Sequence, residues 1–198
     1  MGRVDENYKN IVLNTFARQA FRDVADKDYI LARTCYRMGL INQFFWCGLQ
    51  AVEKYLKAIL LFNNKKTLNL NHDIKKSLKR VEGIKKAELD IDEKDREFVR
   101  QLNKFGNNRY LTKSFDSDGN ELFKLDKLVW GIRRYCNVFG YVLTSSEFKK
   151  DIYEAQIKDI ELKFYKDYPN KFQIFGGYLE KVLKMNIRNS QRENLVWC

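Results

Sequence analysis

QAVEKYLKA, residues Gln50 to Ala58, sets amide and charged side chains into an otherwise strongly apolar segment. Ile41, Phe45, Leu49, Val52, Leu56 and Ile59 recur at steps of three and four. At 3.6 residues per turn that places them on one stripe of a helix facing a core. Gln50, Glu53 and Lys57 fall on the opposite side of that helix. Glu53 precedes Lys57 by four residues, the order that suits both the ion pair and the helix dipole, although such a pair contributes only about 0.3–0.5 kcal/mol. By spacing alone this is a solvated polar face, because short motifs often match by accident.

Amphipathic patterns continue on both sides. Upstream, a helix is expected near Lys9 to Val24, carrying Val12, Phe16 and Ala20, and a second from Asp26 to Met38, closed by the break at Gly39. The long helix ends near Phe62, where Asn63 and Asn64 are stop signals. Downstream, a helix opening near Asp73 loses its period around Gly83, and another spans Asp92 to Phe105 and stops at Gly106. Asn107 to Glu121, NNRYLTKSFDSDGNE, is polar and turn-rich. Beyond it Leu125, Leu128, Ile132, Tyr135, Phe139 and Val142 again repeat by threes and fours. After Ser145 two further amphipathic helices are expected, one marked by Tyr153, Ile157, Ile160 and Phe164, the other by Phe175, Leu179 and Val182, with YPNK at Tyr168 to Lys171 between them. The expected fold class is all-α. The domain reading is an N-terminal helix over 1–25, a helical bundle over 26–145 and a C-terminal helical extension over 146–198, packed on the same domain.

Composition narrows the class. With 198 residues the chain can bury one sizeable core, and 44% hydrophobic with 14% aromatic residues argues against disorder. No window approaches the roughly 18 uninterrupted apolar residues of a membrane span. The N-terminal MGRVDENYKN has no apolar signal region, and Glu6 stands where a myristoylation signal needs Ser or Thr, so the expected location is the cytoplasm, with no membrane partner. Cys35, Cys47, Cys136 and Cys198 are scattered, form no CxxC and sit beside no histidine cluster, which points to free thiols and to no metal or cofactor. DSDGN superficially resembles a calcium loop, but Gly119 is fourth from Asp116 rather than sixth, and the twelfth position is Lys127 rather than Glu.

Three pieces stand in a particular order: DYILAR from Asp28 to Arg33, QAVEKYLKA from Gln50, and NHDIKK with the chain's one histidine, His72, followed by Asp73 and Ile74. Together they resemble the HEPN family of small helical domains, over roughly Asp26 to Leu143. The resemblance implies an up-and-down four-helix bundle, here with additional N- and C-terminal helices. Arg109-Tyr110 in NNRYL matches the arginine that many members carry just before or within their last core helix. Ribonuclease members follow that arginine, four to six residues later, with a histidine. Here those positions hold Lys113, Ser114 and Phe115. The side chain best matched to proton transfer near neutral pH is therefore missing from that site. Arg109 still fits a phosphate through its forked guanidinium, or equally caps a helix or pairs with a carboxylate such as Asp126.

The charge balance points to polyanions. Lys and Arg total 37 against 26 Asp and Glu, a net charge of +11, which favours binding by counterion release. The local concentrations are KKSLKR from Lys75 to Arg80, Lys85 and Lys86, and Arg133 with Arg134. The function expected is non-catalytic binding of a nucleotide or RNA, with Arg109 at the phosphate and Tyr110, His72, Asp73, Lys54, Lys57, Glu53 and Gln50 as further ligand candidates. Glu53 and Gln50 could instead tie the bundle together. The resemblance also implies a homodimer, and action beside a nucleotidyltransferase partner or in nucleic-acid defence. Two alternatives remain open: a divergent metal-independent ribonuclease using Arg109 with His72 or Tyr110, and a dimeric adaptor recognised through its C-terminal helices.

Overall fold

A computed structural model describes residues 6–84, 87, 89, 91–107, 119–136, 142–144 and 149–151. The chain divides into two compact units, residues 1–137 and 138–198. The first is helical. Its elements are α1 (Glu6–Phe16), a π-helical turn (Ala17–Arg22), α2 (Asp23–Arg37), α3 (Ile41–Phe62), α4 (Ile74–Glu82), α5 (Glu93–Phe105) and α6 (Glu121–Arg133). α2, α3, α5 and α6 make the bundle, and α4 packs on α3 and α5.

Local chemistry sets each boundary. α2 continues directly from the π-helical turn, with the Asp23 N–H donating to Arg18 O across the junction. It ends in a Schellman turn, with the Leu40 N–H donating to Cys35 O at 2.8 Å and the Gly39 N–H to Tyr36 O at 3.0 Å. Gly39 sits there at φ +73°, a left-handed value that a side chain would strain. The three-residue link that results folds α3 back along α2. Asp73 caps α4 by accepting from the backbone N–H of Lys75 and Lys76. Asp92 and Asp95 form a reciprocal capping box on α5, at 2.9 and 3.0 Å.

α3 is the axis of this unit. Phe45, Leu49, Val52, Leu56 and Ile59 are buried as the periodicity predicts, Ile41 at the start of the stripe is half-buried, and Phe44, Ala51, Tyr55, Ala58 and Leu60 are buried on other faces. The single stripe expected from sequence is too narrow, because α3 meets α2, α4, α5 and α6 around its circumference. Gly106 permits the tightest of these approaches. A Cβ there would lie 2.6 Å from Leu49 Cβ and 2.8 Å from Phe45 O, so only glycine lets the end of α5 touch α3.

The last pattern is shorter than expected. α6 stops at Arg133, and Val142 lies in a three-residue strand. Val142 to Thr144, an aliphatic and β-branched run, suits extended structure although Val142 keeps the helical spacing. In the second unit β1 (Val142–Thr144) pairs antiparallel with β2 (Lys149–Asp151), in the register Val142 to Asp151, Leu143 to Lys150 and Thr144 to Lys149. The two helices expected after Ser145 lie outside the described residues.

Candidate functional site

Two groups of polar side chains stand out, one inside the bundle and one at its surface. The inner group begins with Asp26 on α2, which is 1% exposed. It accepts from Arg133 Nε at 2.7 Å, Arg133 Nη2 at 3.0 Å and the Tyr55 hydroxyl at 2.7 Å. Burial alone would raise the Asp26 carboxyl, but the Arg133 guanidinium, the Tyr55 hydroxyl and nearby Arg22 outweigh it and hold the group below its ordinary value. Burial likewise leads in raising the Tyr55 phenol well above its usual range, helped by the Asp26 charge. A second carboxylate, Asp126 on α6, accepts from the Tyr29 hydroxyl and has Arg33 Nε at 3.6 Å. These pairs join α2, α3 and α6 internally. Sequence reading placed Arg133 and Arg134 among the surface charge concentrations. Both are buried, at 4% exposure, so they present no surface to a polyanion.

The surface group contains several of the residues singled out in the sequence. Glu53, expected on the solvated side of α3, is buried. Its Oε1 accepts from Lys57 Nζ at 2.5 Å, and its Oε2 lies 3.0 Å from His72 Nδ1. The His72 side chain remains 70% exposed. Lys54 is engaged nearby with Asp28 Oδ2 at 2.5 Å and Gln50 Oε1 at 3.2 Å. The structure therefore brings Glu53, Lys57 and His72 into one cluster and Gln50 and Lys54 into another. The loop that delivers His72 takes left-handed backbone at Asn69, Asn71 and His72. These residue types tolerate that region better than most.

The first turn of α4 begins two residues after His72. Its N–H groups are already used: Ile74 donates to Asn103 Oδ1 at 3.2 Å, Lys75 and Lys76 donate to Asp73 Oδ1 at 3.0 and 3.3 Å, and Ser77 donates to Asp73 O. Asp73 is thus a helix cap, and the helix end offers no vacant donor there. The side chains of α4 present a different opportunity. Ile74, Ser77, Leu78 and Val81 are buried, while Lys75, Lys76, Lys79 and Arg80 are exposed together. Arg80 Nη1 donates to Lys66 O at 3.1 Å and Leu68 O at 3.0 Å, drawing the loop with exposed Lys65 and Lys66 against this face.

A model of the HEPN domain matches residues 19–133. The chain belongs to the HEPN family. No curated protein and no solved structure matches it. The matched stretch runs from the π-helical turn to the end of α6 and contains both polar groups of this HEPN domain. Arg109 and Tyr110 lie within the match but outside the described residues. Among the described residues no group of three or more His, Cys, Asp or Glu could hold a metal, and no helix is long and apolar enough to cross a membrane. Cys35, Cys47 and Cys136 are free and buried. Burial pushes the Cys136 thiol up to about 12, and burial together with Cys35 pushes Cys47 to about 11. The Asp26 and Arg133 pair was missed at the sequence level because the partners are separated by 107 positions, and no local spacing links them.

Proposed function

We propose that this HEPN domain binds a nucleotide or RNA without cleaving it, on the solvent face of α4 and the loop before it. The exposed quartet Lys75, Lys76, Lys79 and Arg80, with Lys65 and Lys66 held alongside through Arg80, carries the reading. From Asn63 to Arg80 six basic residues face one acid, Asp73. A helix face this one-sided attracts phosphates by counterion release whatever the base sequence. Arg109 and Tyr110 remain proposed phosphate contacts. Lys54 and Lys57 rank lower, since each is spent on a carboxylate. Binding without cleavage is supported by the absence of a histidine four to six residues after Arg109.

The same proposal includes a homodimer, and service beside a nucleotidyltransferase or in nucleic-acid defence, both resting on family likeness. Tyr8, Ile11, Val12 and Phe16 are exposed on α1 at helical spacing, an apolar face that supports self-association.

Anisotropy of a labelled single-stranded RNA, read across a salt series, tests the binding. Wild type should bind with a log–log salt slope of about 0.7 per phosphate neutralised. Changing Lys75, Lys76 and Lys79 together to Glu should weaken binding at least about tenfold and flatten the slope by about two. Arg109→Ala should weaken it separately. Equal binding by wild type and the triple variant removes α4 from the site. Shortened RNA on recovery moves the protein to the ribonuclease reading, and no binding at physiological salt moves it to the adaptor reading.

A further inference from the structure

The geometry points to His72 as a phosphoryl acceptor, whose Nε2 takes a phosphoryl group from a small acyl phosphate. Glu53 Oε2 lies 3.0 Å from His72 Nδ1. A carboxylate can only accept, so this contact puts a proton on Nδ1, and in the neutral ring the lone pair is then on Nε2. The side chain is 70% exposed, so Nε2 is accessible from solvent. The charge of Glu53 is already offset by Lys57 Nζ at 2.5 Å, which leaves the imidazole with no burial or neutralising duty of its own.

The ring is also held through its backbone. His72 sits at φ +59°, the next residue's N–H donates to Leu70 O at 2.8 Å, and the Asp73 side chain is locked as the cap of α4. A backbone fixed on both sides of the residue, with the Glu53 contact at Nδ1, limits the positions the ring takes. Lys57, Glu53 and His72 form the familiar chain of a nucleophile oriented by a partner that is itself held. Lys75 and Lys76 follow three and four positions on and are exposed, with Lys76 Nζ 3.7 Å from Asp73 Oδ2.

The step balances without an oxidant or a metal. The Nε2 lone pair forms the N–P bond as the bond between phosphorus and the acyl oxygen breaks, and that electron pair leaves on the carboxylate. The proton stays on Nδ1. The ring becomes an N-phosphorylated imidazolium, and its new positive charge develops against the Glu53 carboxylate that already accepts from it. This inference does not rest on polyanion binding, and its test is read independently of the RNA experiment.

The test incubates the full chain with acetyl phosphate and follows intact mass. Wild type should gain one phosphoryl group that is lost on brief acid treatment and kept in alkali, the behaviour of an N–P bond. Acetylation of lysines by the same reagent is separated by its different mass and its survival in acid. His72→Ala, a change at an exposed side chain, should abolish uptake. Glu53→Gln, which preserves shape while removing the charge, should slow it at least about tenfold with the circular dichroism of the fold unchanged. Failure of wild type to take up an acid-labile phosphoryl group overturns the proposal. So does equal uptake by His72→Ala, or an undiminished rate in Glu53→Gln.

Discussion

Asp26 illustrates how much one buried carboxylate commits the residues around it. Arg133 supplies two charge-assisted hydrogen bonds and Tyr55 a third. Removing the cation while leaving the charge is the damaging change. Arg133→Met should therefore cost about 3–5 kcal/mol, whereas Tyr55→Phe, which deletes one hydroxyl, should cost about 1–3 kcal/mol. Chemical denaturation of both variants checks the order, and equal losses would contradict it. Acid should act in a definite direction. Because the folded Asp26 carboxyl lies below its ordinary value, its stabilisation is full above the ordinary carboxylate range and fades as pH falls through the lower folded value. At this scale the sequence was partly legible. It marked Glu53 and His72 as notable, but their contact depends on a loop conformation that no periodicity encodes. Asp26 and Tyr55 drew no notice as a pair, since a carboxylate and a phenol on neighbouring helices look ordinary until an arginine from α6 meets them.

Elements joined by their caps make a second layer of interaction. Lys127 on α6 reaches Asp92 Oδ2 at 2.6 Å and Asp95 Oδ2 at 3.2 Å, so the capping box of α5 also anchors α6. Hydrogen bonding from Lys127, then from the Asp95 backbone, lowers the Asp92 carboxyl to about 2, while burial raises its neighbour Asp95. The depressed group stabilises the fold above its unfolded value of about 4, and that contribution is lost as pH falls toward about 2. Asp92→Ala should cost about 1 kcal/mol near neutral pH, as loss of an N-cap does. The difference from wild type should shrink on acidification below about pH 4. A gap that stays constant from neutrality to pH 2 would show that the charge plays no part. Helix existence was readable here because Phe98, Leu102 and Phe105 recur at helical steps before the stop at Gly106. The end of α6 was not, because Tyr135, Phe139 and Val142 keep a helical spacing in residue types that also favour strands.

The first unit as a whole carries opposite features on different elements. α4 exposes a cationic face, and α1 exposes apolar residues. Light scattering coupled to gel filtration should give about twice the chain mass for wild type. It should give the mass of a single chain for Ile11→Asp combined with Phe16→Asp, if α1 forms the homodimer contact. Loss of self-association without loss of secondary structure is the expected result. A monomeric wild type would instead leave the face to another occupant. The all-α architecture was legible from apolar spacing and motif order, because a helix announces itself within a few turns. The way α3 is enclosed on all sides was not, since enclosure depends on residues far apart in the chain.

That separation has a consequence for synthesis. Asp26 leaves the ribosome 107 residues before the arginine that neutralises it. During that interval α2 and α3 can pair as a local hairpin, but the seam where α6 will lie holds a carboxylate without its cation and apolar residues without cover. Closure of the bundle must therefore wait for translation to pass Arg133. A pause upstream of that codon would prolong a half-built intermediate with a sticky flank, and in the cell such an intermediate is a substrate for chaperones rather than a finished domain.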